Sequence, residues 1–331
     1  MQTAAAARVA AVIPTWNRRD LLATLLQNLA AQTRRFTEII VVDNGSEDDS
    51  AELAEAAGAR VLRMDRNLGF ATAVNRGIEA ADADWVAILN NDVTLERDWL
   101  AKLLEAAQED IWFATGKILQ AANHQLVDGT FDEISRGGCA SRCGSGKPDG
   151  PVWNQTRRIR MAPMTAALFR RQLFRDLGGL DETFGSYMED VDFGLRCAMA
   201  GRPGLFVPSA VAYHRGSATL GEWNSDTVWR IARNQVLLSA KHFRGQPRWP
   251  IVAGQLLWGM VALRHGRGSA FVRGKIAGMR EARRMTRPST NEYTRKVLAE
   301  VLESSEANIL ALARETGFDR YWRAYFWLSR R

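Results

Sequence analysis

Residues 85–100, WVAILNNDVTLERDWL, run from an apolar, strand-like stretch (Val86 to Leu89) directly into Asn90, Asn91 and Asp92, and then into a helix-like segment. A strand whose carboxyl end presents oxygen donors marks the place where open α/β sheets bind ligands. The same three residues also suit a turn followed by a helix cap, because Asn and Asp side chains bond nearby backbone. The surrounding sequence bears on the choice.

Upstream, strand and helix patterns alternate. RVAAVIPTW (8–16) is a β run closed by Pro14, RRDLLATLLQNLAAQ (18–32) spaces its apolar residues as a helix does, and EIIVVDNGS (38–46) is a second strand ending in a turn. SAELAEAAG (50–58) reads as a helix stopped by Gly58, RVLRM (60–64) as a strand, ATAVNRGIEAA (71–81) as a helix and WVAIL (85–89) as the next strand. Regular alternation of this kind predicts an α/β fold, a Rossmann-like, mostly parallel sheet with helices on both faces. Continuous apolar runs such as Ile39 to Val42 fit strands buried on both sides.

The chain of 331 residues is long enough for a full core, and 46% apolar with 24% charged residues is a globular composition. Three cysteines, Cys139, Cys143 and Cys197, are too few for a disulfide framework and lack the partners of a zinc site, so they read as reduced thiols in a cytosolic protein. The start, MQTAAAARVAAVIP, passes straight into strand-like sequence and does not read as a cleaved signal peptide. The net charge of +7 is unevenly spread: residues 221–331 carry 20 Lys and Arg against 9 Asp and Glu, leaving 24 against 28 for residues 1–220. From Arg230 to Arg287 there are 13 basic residues and Glu281 as the only acid, interleaved with Trp229, Trp249, Trp258 and apolar runs. That pattern favours an anionic partner.

Pro14-Thr15-Trp16-Asn17 stands where a dinucleotide-binding domain would place its glycine-rich turn, and no GxxxxGK[ST] occurs, which disfavours hydride transfer and P-loop chemistry. Instead the strand ends carry Asn17, Asp43 and Asp92. Asp43 could accept hydrogen bonds from a nucleobase imide or ribose hydroxyls, or could simply open an Asx-turn. RNLGFATAVNRG (66–77) places Asn67 and Gly69 before a helix whose N-terminus could face a phosphate or be plainly capped. Farther on, Glu189, Asp190 and Asp192 lie at the start of a helix-like segment, flanked by Tyr187, Met188, Phe193 and Leu195. Acids there complement the helix dipole, and a partly buried carboxylate beside another also has the raised pKa of a general base. His214 gains meaning only beside Asp92.

Together, VIPTWNRRDLLATLLQNLAAQT, EIIVVDNGSEDDS, NLGFATAVNRGIEAADADWVAILNNDV and MEDVDFGLRCAMAG with YHRGSAT resemble an inverting family 2 glycosyltransferase of the GT-A fold, in particular its rhamnosyltransferase-like and galactofuranosyltransferase-like branch. The similarity extends over roughly residues 8–240, with the motifs in the family's order. It implies a nucleotide pocket at Pro14, Thr15, Asn17, Asp43, Asn67, Gly69, Asn75 and Asn91. Asn90-Asn91-Asp92 falls at the family's DxD motif, so Asp92, with Asn90 and with His214 completing the site, would hold Mg²⁺ or Mn²⁺. Asp190 matches the catalytic base, and Glu189, Thr165 and Trp153 are expected at the acceptor. The motif departs from the two acids of many relatives, since Asn90 offers only a neutral amide oxygen, which implies weaker metal affinity or greater reliance on His214.

DGTFDEISRGGCASRCGSGKPDGPVWNQTRR (128–158) is rich in Gly, Ser and Arg and is expected to be a flexible donor or acceptor loop, with Asp149 and Trp153 as contacts. The catalytic domain is expected over 1–225, divided near 118 into nucleotide-sugar and acceptor halves, with a basic helical extension over 226–331. In that extension WPIVAGQLLWGMVAL (249–263) is short of the ~20 residues that span a bilayer and is flanked by Arg244, Arg248, Arg264 and Arg267, which suits helices lying on an anionic membrane surface. The tail also suits packing on the catalytic domain or a homodimer interface. No nucleic-acid motif accompanies the basic residues, so a nucleic-acid partner is not expected.

The expected activity is transfer of a sugar, rhamnose from a dTDP donor in the first instance and UDP-linked sugars next, to a cell-envelope polysaccharide or lipid-linked acceptor, at the inner face of the plasma membrane. Three alternatives remain at this point. A sugar nucleotidyltransferase would need a basic glycine-rich loop early in the chain. A non-catalytic sugar-nucleotide or glycan-binding module stays open because of the Asn-Asn-Asp departure, and a membrane-surface scaffold would bind lipid without responding to nucleotides.

Overall fold

The computed structural model describes residues 7–216, 223–285 and 291–329. Two compact units are present: Met1–Phe131 with Gly144–Gly216, and Asp132–Cys143 with Ser217–Arg331.

The first unit is built on one sheet. In chain order it contains β1 (Val9–Thr15), α1 (Arg19–Ala30), β2 (Glu38–Asp43), α2 (Ser50–Ala56), β3 (Arg60–Arg63), α3 (Phe70–Ala80), β4 (Trp85–Leu89), β5 (Val93–Leu95), α4 (Trp99–Ala106), β6 (Phe113–Gln120) and β7 (Asn123–Gly129). The short hairpin β8 (Asp132–Ile134) and β9 (Ala140–Arg142) belongs to the second unit. The chain then returns with β10 (Arg157–Ile159), β11 (Ala166–Arg170), α5 (Arg171–Leu177), α6 (Glu189–Met199) and β12 (Gly204–His214). The order is β10-β12-β6-β11-β4-β1-β2-β3, with β5 added on β12 and β7 on β6. Strands β4, β1, β2 and β3 run parallel, β11 is antiparallel to both β4 and β6, and β12 is parallel to β6. This is the expected mostly parallel α/β sheet, with a mixed second half.

Alternation along β1 explains the two helical layers. Val9, Ala11 and Ile13 share one core cluster with Leu22, Leu25, Leu26 and Leu29 of α1, and Gly77 of α3 lies against Val12 on the other face. All five residues of β4 are buried, as a strand covered on both faces requires. Register then aligns the functional ends: Thr15 of β1 pairs with Asp43 of β2, and Val12 with Ile88 of β4.

Two sequence expectations differ from these elements. The division near 118 falls inside β6, whose middle residues are buried sheet. Residues 128–158, expected to be a flexible loop, form β8, β9, a 3-10 turn (Pro151–Trp153) and β10, and Trp153 is a core residue at 2% exposure. Asp149 is ion-paired with the buried Lys117 at 2.9 Å. Gly and Ser richness reflected tight turns between short strands.

Among its described residues the second unit contains the β8–β9 hairpin and five helices: α7 (Ser225–His242), α8 (Arg248–Arg264), α9 (Gly268–Ala282), α10 (Glu292–Thr316) and α11 (Arg320–Ser329). Hairpin and α10 are joined by buried polar groups. Ser305 donates to Glu133, Asn308 Nδ2 donates to Glu133 Oε1 at 2.8 Å, and Arg136 pairs with Glu306 at 2.8 Å. These links group residues 132–143 with the helices, although the hairpin falls within the stretch expected to be catalytic.

Candidate active site

The parallel strands end together, and their ends are tied by side chains. Asn91 Nδ2 donates to Thr15 Oγ1 at 2.9 Å, joining the end of β4 to that of β1. Asn17, with a left-handed φ of 51°, accepts from the Glu47 amide at 2.7 Å, and its own amide donates to Ser46 Oγ. Asp43 is buried and Oδ1 accepts from the Ser46 amide at 3.2 Å. That bond reaches the amide three residues on, one farther than an Asx-turn, and it fixes the carboxylate at the strand end beside Pro14 and Thr15.

Three expected nucleotide ligands are engaged by the scaffold. Asn67 Oδ1 accepts from Asn44 Nδ2 and from the Gly69 amide, both at 3.0 Å. Gly69 has φ 92°, and a Cβ there would lie 2.8 Å from the Gly185 carbonyl oxygen, so glycine is required by both backbone and packing. Asn75 uses both amide protons on Leu180 O (2.9 Å) and Glu182 Oε1 (3.0 Å), and accepts from the Leu180 amide. These groups bring the segment before α6 onto the start of α3. Ala71 N donates to Gly185 O at 2.9 Å and Phe70 N to Ser186 Oγ at 3.2 Å.

That segment delivers the paired acids. Tyr187 and Met188 both adopt φ 70°, a costly conformation for non-glycine residues, immediately before Glu189 and Asp190 open α6. Strain of this kind persists where the surroundings over-determine a backbone. Glu189 is 5% exposed, and its Oε2 is buried without a hydrogen-bond partner among the described residues. Burial, reinforced by the charges of Asp190 and Asp192, holds its pKa well above the usual carboxylate range. Asp190 is less buried and Oδ1 accepts from the Val191 amide at 2.8 Å. Asp192, fully buried, pairs with Arg196 at 3.0 Å and serves the helix. Thr165 is buried, and its carbonyl accepts from the Asn90 amide at 2.9 Å, which places it next to the same strand end. Trp153 has no free surface for an acceptor.

Asp92 and His214 come together: Asp92 Oδ1 lies 3.2 Å from His214 Nε2, and the Arg215 amide donates to Asp92 O. Asp128, absent from the sequence reading, lies 3.0 Å from Nδ1 of the same ring. Burial pulls the imidazole pKa down, but hydrogen bonds to Asp128 and Asp92, with their charges, outweigh it and lift it to about 9. A cleft of about 210 Å³ adjoins this group, lined among others by Asn91, Asp92, His124, Tyr213 and Arg215. The His124 and Tyr213 rings lie 4.3 Å apart. The last residues of YHRGSAT, from position 217, lie outside the described residues.

A divalent cation fits this donor set in a limited way. No cluster of three converging ligand side chains occurs among the described residues. One carboxylate and one imidazole nitrogen do converge, with Asp128 behind the imidazole as second-shell carboxylates stand behind ligating histidines. Such an open pair suits Mg²⁺ or Mn²⁺ sharing its remaining positions with phosphate oxygens and water.

With the geometry in place, comparison with known proteins is specific. Residues 10–178 match the family model described as glycosyl transferase family 2. A Mycobacterium tuberculosis N-acetylglucosaminyl-diphospho-decaprenol L-rhamnosyltransferase is 30% identical over 271 residues, covering 72% of this chain and 88% of the relative. A pre-mycofactocin glycosyltransferase from the same organism is 29% identical, covering 84% of this chain and 58% of that protein. Among solved structures, a mannosyltransferase from Pyrobaculum calidifontis in complex with GDP-Man and Mn²⁺ has TM-score 0.54 and 18% identity, covering 96% of this chain and 86% of its own. GalNAc-T7 with UDP, GalNAc and Mn²⁺ has TM-score 0.64 and 14% identity, covering 94% and 58%. The chain belongs to glycosyl transferase family 2 and is a glycosyltransferase of the GT-A fold.

Proposed function

We propose that the enzyme moves rhamnose, in the first instance from dTDP-rhamnose and otherwise a UDP-linked sugar, to a hydroxyl of a cell-envelope polysaccharide or lipid-linked glycan, with inversion and with Mg²⁺ or Mn²⁺. The observation that carries this reading is the 3.2 Å approach of Asp92 Oδ1 to His214 Nε2 at the carboxyl end of β4, beside the strand ends of Thr15 and Asp43. Support for the sugar comes from the 30% identical relative, named for L-rhamnose and a diphospho-decaprenol acceptor. Support for the cation comes from the two solved neighbours, both with Mn²⁺.

In this reading Asp43 and Thr15 face the nucleoside, with Pro14, Asn17 and Asn91 shaping the strand edge. Asp92 and His214, with Asn90 next in sequence, would hold a divalent cation, which would supply positive charge against the diphosphate of the leaving group. Arg215 adds a fixed positive charge at the rim of the cleft. Asp190 takes the proton from the acceptor hydroxyl as that oxygen attacks the anomeric carbon, and the single displacement inverts the configuration. Glu189, buried and held toward its neutral form, leaves Asp190 as the carboxylate that works, and Thr165 borders the acceptor. The basic second unit brings the enzyme to an anionic membrane at the inner face of the cell.

The test is incubation with dTDP-, UDP- and GDP-sugars, Mn²⁺ and a soluble acceptor analogue, reading nucleoside diphosphate release and the product's anomeric configuration by NMR. Inverted product with release of nucleoside diphosphate is expected. Retained configuration, or no acceptor-dependent release of nucleoside diphosphate from any of these donors, would overturn it.

A further inference from the structure

Helix α8 lacks a polar side. From Trp249 to Leu263 the only polar side chain is Gln255, which faces inward and accepts from Lys275 Nζ at 2.8 Å. One side of α8 is buried through Pro250, Ala253, Gly254 and Leu257. Another side carries Trp249, Val252, Leu256, Met260 and Leu263, a single stripe at helical spacing, and the last three are 59%, 58% and 68% exposed. No water-soluble helix needs such a face.

Helix α9 continues it. Gly259 lies against Phe271, Leu263 against Gly268 and Gln255 against Lys275, so α8 and α9 form an antiparallel hairpin closed by residues 265–267. Val272, Ile276 and Met279 form the exposed apolar stripe of α9. On each helix this stripe follows the interhelical face in the same rotational sense, and in an antiparallel pair that turns both stripes to one side. The result is a continuous apolar plate.

The rim of the plate is basic. Exposed Arg273 and Arg280 lie along α9 beyond its apolar stripe, exposed Arg284 follows just past its end, and exposed Arg248 and Arg264 mark the two ends of α8. No Asp or Glu occurs from Phe243 to Arg280, and Glu281 is paired with Arg233. A second copy of the chain would bring like charges together around the plate, whereas anionic headgroups above an apolar layer complement both features. No described helix is long and apolar enough to cross a membrane.

We propose that the α8–α9 plate docks on an anionic lipid bilayer, its apolar stripes seated among the acyl chains and its arginines on the headgroups. This rests on the membrane reading given above and adds the face that makes the contact. It does not depend on the identity of the sugar.

The test is co-sedimentation of the full-length protein with vesicles of phosphatidylcholine alone or mixed with phosphatidylglycerol, for wild type, the double variant Leu256→Glu/Met260→Glu, and Arg280→Gln. Wild type should sediment with the anionic vesicles and much less with the neutral ones. The Glu pair should weaken binding at least about tenfold, and Arg280→Gln about fivefold, an effect diminished by salt. Transfer to a water-soluble acceptor analogue should be unchanged in these variants, and Asp190→Asn should bind vesicles as wild type does, so failure of docking and failure of the catalytic reading are separate results. The proposal is overturned if wild type ignores anionic vesicles, if the Glu pair binds them undiminished, or if sedimentation velocity shows that the plate instead holds a dimer which the Glu pair dissociates.

Discussion

Asp128 Oδ2 lies 3.0 Å from His214 Nδ1, and this fixes which nitrogen of the ring faces Asp92. Asp128→Asn keeps the shape and removes the charge behind the imidazole. Loss of such a supporting carboxylate lowers metal affinity by about 10–100-fold. Mn²⁺ binding followed by electron paramagnetic resonance should show that loss with the fold intact. Unchanged Mn²⁺ affinity would remove Asp128 from the site.

Asp92→Ala should abolish the response to nucleotide and metal together. In wild type, a nucleoside diphosphate at 100 times its Kd adds about 2.7 kcal/mol of stability. That gain should require Mn²⁺ for the preferred base among dTDP, UDP, GDP and CDP, and should vanish in the variant. Thermal unfolding checks it, and equal stabilisation without metal would contradict the cation's role.

Glu189 gives a pH prediction. Burial and the neighbouring Asp190 raise its folded pKa above the ordinary value of 4.5. The unfolded chain therefore loses this proton first as pH rises. The stability contributed is full below about pH 4.5 and is lost as pH climbs through the raised folded pKa. Glu189→Gln removes this dependence, so relative to wild type the variant should gain stability on going from pH 5 to pH 8. Urea denaturation at both values decides it, and parallel profiles would mean that Glu189 is ionised in the fold.

Asn75→Ala separates scaffold from ligand. Both amide protons and the carbonyl oxygen of Asn75 hold the loop at Leu180 and Glu182. Leaving such buried groups unpaired costs about 1–3 kcal/mol. Denaturation should show that cost while donor affinity in the folded variant stays as in wild type. A selective loss of donor affinity would return Asn75 to the nucleotide pocket.

The strand ends were legible because a buried parallel strand must be apolar throughout, so Asp43 and Asp92 stand out against Ile39–Val42 and Val86–Leu89. His214 was legible only as a partner for Asp92. Asp128 was not, since a carboxylate in NHQLVDG reads as a turn former until β7 and β12 are both placed against β6. Trp153 misled in the other direction. A glycine-rich neighbourhood implied exposure, and only the packing of Gly144 against its ring shows why the glycines are there. The apolar character of segment 249–263 was legible, but which of its sides is free depends on what α9 and α11 cover, and no local pattern contains that.

In the proposed mechanism Asp190 deprotonates the acceptor in a displacement at the donor's anomeric carbon. Single-turnover transfer by Asp190→Asn, measured alongside donor binding by calorimetry, tests it most directly. Donor and Mn²⁺ should bind as in wild type while transfer falls by about 10²–10⁴-fold, the usual contribution of a general base. Turnover at the wild-type rate with donor bound would contradict it.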